Sequence, residues 1–568
     1  KNTFPTKHLE KLYVVTDTME NEPAITTSTS YSQQKHILRI CFQRSSDGFS
    51  ANPFIASRLN GGQGMKLRLT GAVAFSAAVY AQLIGILFSV LIARKLSTTD
   101  FGLWAYVGAL ISYSLTPVGL VGGWISRDAA RGEKVMYPSL MVSSFLVASG
   151  LTIYIAASTV THSQIGAGLT ILLAGLLILV PNALANIATA IASGYTPHHV
   201  GLGSMLFETV KLVSAFTFVV LLGLSSLPFV FLAVGIGHAS SMLFLLYAAK
   251  GTAGRLDLKK YLRKWLRGSI VSAVMIASGL LFTADVILIS LLTGGTVVTA
   301  YWQAATVVGL LVNASSYLAA GLYPRLLSGG GLGDADKSLH FTLTLAVPIL
   351  FGSIALSDYI LSIVNPVYSV AWMAASLMAL TYFIGIIMGM YNTLIIGTEQ
   401  FDLDRVPAVK EYLKSRLALG VYVNAYTGPL YLSLLAVMLL LSRDAGINMQ
   451  ATSISAAKLA IALIQTAIYR RYAKTFTGFK MNLREVAPYF VSSLPMTLVV
   501  LVLKHLIGQP PQQLILVLRG AAVLSGAGAL TYFAVLYGLS GKFRLLVREA
   551  IQTVRLYTTR FGLLPRHR

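Results

Sequence analysis

Charge is what this sequence has least of. Only 11% of its 568 residues are Asp, Glu, Lys or Arg, against about 25% in soluble domains. Acid is scarcer than base: 21 Asp and Glu stand against 44 Lys and Arg, a net charge of +23. Cysteine is nearly missing as well. The single Cys41 excludes an intrachain disulfide and any cysteine-built metal site. No G-x-x-x-x-G-K-[ST] loop is present, so ATP-driven export has no support. The run 328-SGGGLGD-334 lacks the required lysine and a flanking strand, and reads as a linker in a loop.

Apolar length takes the place of charge. Hydrophobic residues make up 55% of the chain and mean hydropathy is +0.70. Apolar stretches of about 20 residues recur along nearly the whole length, each enough to span a bilayer as a helix. Their continuity does not suit an outer-membrane barrel, whose strands are about ten residues of alternating pattern. The expected fold class is all-α and polytopic, with about fourteen transmembrane helices. These are placed near 69–93, 101–124, 138–160, 165–192, 200–222, 227–249, 269–292, 297–322, 340–361, 370–396, 417–441, 451–472, 487–507 and 513–538.

In a soluble chain the positive charge would point to nucleic acid. Here it is assigned to loops, and no nucleic-acid partner is expected. With the N-terminus inside, the inner loops contain Arg127, Arg131 and Lys134, then 250-KGTAGRLDLKKYLRKWLR-267, then Arg405, Lys410, Lys414 and Arg416. Arg470, Arg471, Lys474, Lys480, Arg484 and the tail from Lys542 follow, whereas the outer loops hold only Arg94, Lys95, Arg443 and Lys504. This bias predicts a cytoplasmic-membrane protein with both termini in the cytoplasm. In 258-LKKYLRKWLR-267 and 542-KFRLLVREAIQTVRLYTTR-560, apolar residues recur at helical spacing between basic ones. Both read as interfacial helices against anionic membrane lipids, or as plain topology anchors.

Residues 1–64 lack a long apolar run and carry no secretory signal. The run 61-GGQG-64 before Met65 resembles a ribosome-binding sequence read in frame, so 1–64 is expected to be upstream sequence, with a disordered tail as the alternative. The remaining organisation expected is an N-lobe with a basic loop over 65–267, a C-lobe over 268–484, accessory spans over 485–541 and a basic amphipathic tail over 542–568. The division into lobes rests on a weak repeat: 91-LIARKLSTTDFGLWAYV-107 has a counterpart in 288-LISLLTGGTVVTAYWQAATV-307. In each, an apolar helix ends in a Thr-bearing turn and the next opens with aromatics. Six spans separate the two, so the lobes would form a parallel pseudo-repeat of six helices each, plus two accessory helices, with substrate handled between them.

The stretch 91-LIARKLSTTDFGLWAYVGAL-110, through Ala93, Arg94, Leu96, Asp100, Phe101 and Gly102, resembles the first hairpin of polysaccharide biosynthesis proteins of the O-antigen flippase type. These belong to the multidrug/oligosaccharidyl-lipid/polysaccharide exporter superfamily. Weaker likenesses are 284-ADVILISLLTGG-295 with Tyr301 and Ala304, similar to the Asp-bearing seventh helix, and 365-NPVYSVAWMAASLMAL-380, similar to the entry into the tenth. The resemblance implies a flippase moving a polyprenyl phosphate- or pyrophosphate-linked oligosaccharide between leaflets by alternating access. It implies no cofactor, with H+ or Na+ as an optional coupling ion. The chain would work as a monomer, with a glycan polymerase or glycosyltransferases as conceivable neighbours.

Ionisable groups inside spans are functional candidates. Glu208 and Lys211 stand at i,i+3 in span 5, close enough to pair. Either Lys211 meets substrate phosphate with Glu208 as counter-ion, or the two neutralise each other. Asp285 in span 7 has no local basic neighbour and needs a partner on another helix, for ion coupling or as a structural bond. Lys458 in span 12 is a candidate cavity cation, whereas Arg519 in span 14 reads as snorkelling or structurally paired. Arg94 and Lys95, on the side where positive charge is disfavoured, read as an outer gate for pyrophosphate, or as helix C-terminal charge with a tie to Asp100. Arg127 beside Asp128 allows the mirrored inner gate, or an ordinary anchoring arginine. The nearest rival is a cation-coupled drug antiporter, which would need carboxylates in its cavity. A membrane glycosyltransferase or polymerase would need acidic residues in a sizeable outer loop, and these outer loops are short.

Overall fold

The computed structural model describes residues 63–254, 257–327, 330–399 and 409–548. The expectation about residues 1–64 therefore lies outside the described residues, except that Gln63 begins the first helix. Most of the tail, from 549 on, lies outside them too.

Among the described residues the chain is helical, and thirteen helices are long and apolar enough to cross a membrane, or fourteen with one bent pair. Spans 1 to 7 are Ser76–Lys95, the pair Thr98–Ser114 and Thr116–Ala130 bent by 56°, Met136–Thr161, Leu169–Tyr195, Pro197–Leu221, Leu227–Ala248 and Ser272–Leu292. Spans 8 to 14 are Val297–Ala319, Leu332–Ala355, Pro366–Gly397, Arg416–Leu441, Ile447–Thr477, Leu483–Ile507 and Leu514–Leu539. All fourteen fall where the apolar runs predicted them. Two interruptions bear on the site. Span 2 bends at Leu115, where Pro117 lacks the N–H that would continue the helix.

Span 7 is also broken, and its first half is longer than the apolar run suggests. The helix Leu258–Leu280 joins the basic segment to the membrane segment without interruption. Tyr261 and Trp265 are buried against span 2, while Leu262 and Leu266 are exposed. The basic segment is thus partly a protein-facing element. After Leu280 the chain turns once and resumes as Ala284–Leu292. The carbonyl of Leu280 accepts from the Tyr113 hydroxyl of span 2 at 2.7 Å and from Thr283 Oγ1 at 2.9 Å. A helix break at membrane depth is tolerated when its freed backbone groups find partners of this type.

Spans 2–6 pack chiefly on one another, as do spans 7–12, with spans 13 and 14 against each other and against span 9, while span 1 bonds to both sets through Tyr80 to Thr209 and Gln82 to Tyr317. The two sets meet along spans 2, 7 and 8. Large apolar side chains such as Leu87, Phe145, Leu222, Leu441, Leu498 and Leu530 are exposed on the outer faces. In water that surface would be a liability; this is a multi-pass membrane protein. The Lys- and Arg-rich loops gather at one end of the bundle, the basic end. The turns containing Arg94, Thr296, Ser362 and Gly508 form the far end.

Candidate functional site: two ion pairs, a far-end latch and a cavity at Arg127

Lys211 and Glu208 do pair, one turn apart on span 5, at 2.6 Å. Both side chains are nearly buried, and the ammonium sits 4.6 Å from the ring centres of Phe88 and of Phe207. Aromatic faces attract a cation, and more so without competing water. The charge of Lys211 is balanced by its own helix and screened by rings.

Asp285 finds its partner on another helix, and that partner is Lys458. Asp285 Oδ2 lies 2.9 Å from the Lys458 ammonium and accepts from the Tyr431 hydroxyl at 2.9 Å. Its Oδ1 accepts from the Val286 N–H, at the N-terminal end of the resumed half of span 7, where a carboxylate is favoured by the helix dipole. Lys458 also stands 4.7 Å above the Trp302 ring. One buried cluster therefore fastens spans 7, 8, 11 and 12. Two lone charges in the sequence are a single neutral unit in the structure. Arg519 of span 14 is exposed.

Arg94 does not reach Asp100. Asp100 is engaged by Ser97, which caps the next helix: the Ser97 hydroxyl accepts from the Asp100 N–H at 3.0 Å and donates to its carboxylate at 2.7 Å. The Arg94 guanidinium instead donates to the carbonyls of Ser362 (2.6 Å) and Ile363 (2.8 Å), at the C-terminal end of the helix Ser357–Val364. In return, Asn365 Nδ2 donates to the carbonyl of Ala93 at 2.8 Å. Each helix end caps the other, joining span 1 to the set of spans 7–12. Nearby, Thr296 Oγ1 donates to the Thr99 carbonyl at 2.9 Å, joining the two turns that the sequence pairs as counterparts. The approach is close enough that a Cβ on Gly102 would fall 1.8 Å from the Thr296 carbonyl oxygen. Lys95 is exposed.

At the basic end Asp128 is buried and takes the Lys264 ammonium at 2.6 Å and the Trp265 Nε1–H at 2.9 Å. Glu133 lies 3.3 Å from both Lys260 and Lys264. Burial pushes the Glu133 carboxyl up, but Tyr261 and the two lysines outweigh it and hold it below the usual carboxylate range. Arg127 stacks on Trp124, 5.1 Å from the ring centre. Both line a cavity of about 460 Å³ between the two sets of spans, which Asn392, Tyr412 and Asn424 also line. A cavity of about 330 Å³ lies beside the bend of span 2, lined by Thr116 and Asn186 among others.

Of the cations singled out in the sequence, Arg127 faces the 460 Å³ cavity; Lys211 and Lys458 line neither of these two. The residues that sequence reasoning missed around the membrane pairs, the far-end joint and the cavity are neutral. Tyr431, Trp302, Tyr113 and Asn365 complete the pairs and joints, and Asn392 and Asn424 add amides to the cavity. The mid-span asparagines were visible as polar interruptions of apolar runs, had amides been weighed beside charges.

No protein-family model and no curated protein matches the sequence. Solved structures do match. The lipid II flippase MurJ in an inward closed conformation aligns over 82% of this chain and 98% of its own, with a TM-score of 0.54 at 15% identity. An inward-facing multidrug resistance transporter of the MATE family, from the MOP superfamily, aligns over 72% of this chain and 100% of its own, with a TM-score of 0.48 at 13% identity. The chain has the fold of a helical membrane transporter. More narrowly, that fold is the one seen in the structure of the lipid II flippase MurJ.

Proposed function

We propose that this protein is a flippase that moves a polyprenyl phosphate- or pyrophosphate-linked oligosaccharide from the inner to the outer leaflet, for assembly of a surface polysaccharide or other glycan. In this reading both termini and the basic end are cytoplasmic, spans 1–6 and 7–12 act as two lobes in alternating access, and spans 13 and 14 are accessory. The observation that carries it is the lining of the cavity between the two sets. Among the described residues its lining carries the guanidinium of Arg127 and the amides of Asn392 and Asn424, and no carboxylate of a described residue lines it. A guanidinium is suited to binding phosphate, and amides can hydrogen-bond sugar hydroxyls. A cation antiporter needs the opposite, a carboxylate within reach of its cargo, yet Glu208 and Asp285 are each held by a lysine.

Mass spectrometry of lipid-linked sugars after depletion of the protein, with the surface glycan assayed alongside, tests the reading. Accumulated lipid-linked oligosaccharide with a bare surface is the expected result and would name the cargo. Unchanged lipid-linked sugars with new sensitivity to toxic cations would replace this reading with the antiporter.

A further inference from the structure

We propose that Asp336, His340 and Glu485 form a binding site for a divalent transition-metal ion, and that Lys542 is its built-in competitor. The three residues lie at the basic end, away from the cavity and from both membrane ion pairs. Asp336 and His340 are one helical turn apart at the start of span 9, and Glu485 opens span 13. Their donor atoms all lie within 4.8 Å of one another. His340 Nε2 is 3.5 Å from Asp336 Oδ1 and 3.6 Å from Glu485 Oε2. Nitrogen and oxygen ligands about 2.0–2.2 Å from a tetrahedral ion stand about 3.3–3.6 Å apart. Two edges of a coordination tetrahedron are thus already in place.

The supporting residues point to a ligand rather than to a chance cluster. Lys542 can only donate, so its contact with His340 Nε2 at 3.0 Å makes that nitrogen the acceptor. The proton of the neutral imidazole therefore resides on Nδ1, which faces the Tyr489 hydroxyl at 3.1 Å. A neutral imidazole with its remote N–H engaged is the form that binds metals. Glu485 is oriented in the same way: Asn482 Nδ2 donates to Oε1 at 2.9 Å, turning Oε2 toward the site. The His340 side chain is 3% exposed, whereas both carboxylates are about 40% exposed, so the site is anchored inside and reachable from water.

The Lys542 ammonium holds Asp336 Oδ2 at 2.8 Å, His340 Nε2, and Glu485 Oε2. One positive charge against two carboxylates leaves the cluster net negative; a doubly charged ion would neutralise it. Lys542 stands just past span 14, at the start of the helical segment 541–548, so exchange of ammonium for metal would release that segment from spans 9 and 13. The ligand set, one imidazole and two carboxylates, suits Zn²⁺, with Co²⁺ as its spectroscopic substitute.

The test is Zn²⁺ titration of the purified full-length protein by calorimetry, with bound metal counted by mass spectrometry. We expect one Zn²⁺ per chain, affinity raised about tenfold or more by Lys542→Met, and loss of the site in His340→Ala and in Glu485→Gln. Tyr489→Phe should weaken binding by about tenfold or more without abolishing it. Co²⁺ should give a visible absorption band at the same stoichiometry. Absence of stoichiometric binding in both the native protein and Lys542→Met would overturn the proposal. So would equal affinity in those two proteins, or unchanged binding in Glu485→Gln, a near-isosteric change that guards against misfolding of the histidine variant.

Discussion

Asp285 and Lys458 show what a membrane interior demands of a single charge. Each alone would carry the cost of an unpaired ion; together, with Tyr431, they close a hydrogen-bonded unit. Removing one partner is therefore worse than removing both. Asp285→Asn or Lys458→Met should each cost about 2–4 kcal/mol, somewhat below the roughly 3–5 kcal/mol of fully buried pairs, because Lys458 is 29% exposed. The double variant should recover most of that loss. Thermal unfolding of the purified proteins measures all three; additive losses would show that the pair is not coupled. Arg94 makes the complementary point about geometry. Its two bonds to adjacent carbonyls need a planar fork, so Arg94→Lys should behave nearly as Arg94→Ala. With Cys41→Ser as background, the buried Thr296→Cys should react faster with a maleimide once either Arg94 substitution is present. An unchanged labelling rate would mean that the reciprocal caps do not hold the far end shut.

At the scale of elements, fourteen apolar runs were enough to locate fourteen spans, because hydrocarbon thickness sets run length directly. The turn after span 1 was legible as a polar, Thr-bearing interruption, but its serine cap was not: Ser97 takes the Asp100 that the sequence offered to Arg94 and Lys95. The bend of span 2 and the break of span 7 were not legible either. Both depend on partners far away in sequence, as when Tyr113 takes the Leu280 carbonyl. The basic segment from Leu258 was only partly legible for a related reason: its periodicity records apolar residues but not what covers each, and here span 2 covers Tyr261 and Trp265 while Leu262 and Leu266 stay exposed. The joint at that contact is electrostatic as well as apolar, which gives it a pH dependence. The Glu133 carboxyl sits below its ordinary value when folded. Its contribution to stability is complete above the unfolded value of about 4.3 and is lost as pH falls through the lower folded value. The melting temperature should fall over that acid range, and Glu133→Gln should flatten the same part of the curve. A curve of the same shape in the variant would remove Glu133 from the account.

For the whole molecule, the pairing of the lysines inside the spans bears on how the proposed flippase would be driven. Lys458 was a candidate cavity cation in the sequence because its counter-charge, Asp285, lies on a distant helix, whereas the pairing of Lys211 with Glu208 was legible from its i,i+3 spacing as one of two options; the fold places both lysines on carboxylates. Arg127 was legible only as one of two options, anchor or gate, and its place beside a cavity between the two sets of spans came from tertiary packing. With Glu208 and Asp285 engaged, an ion-coupled cycle would have to break a pair that the interior holds closed. An anionic cargo needs no such step. Carrying one negative charge outward across an inside-negative membrane is favourable by about 2.3 kcal/mol per 100 mV, which is about fiftyfold in an equilibrium constant. Flipping in proteoliposomes should therefore follow an imposed potassium diffusion potential and persist without a Na+ or H+ gradient. Arg127→Ala should lower it tenfold or more, and Arg127→Glu further. Transport indifferent to the potential but abolished by removing one cation gradient would assign the drive to an ion, and one of the two carboxylates would then have to leave its lysine during the cycle.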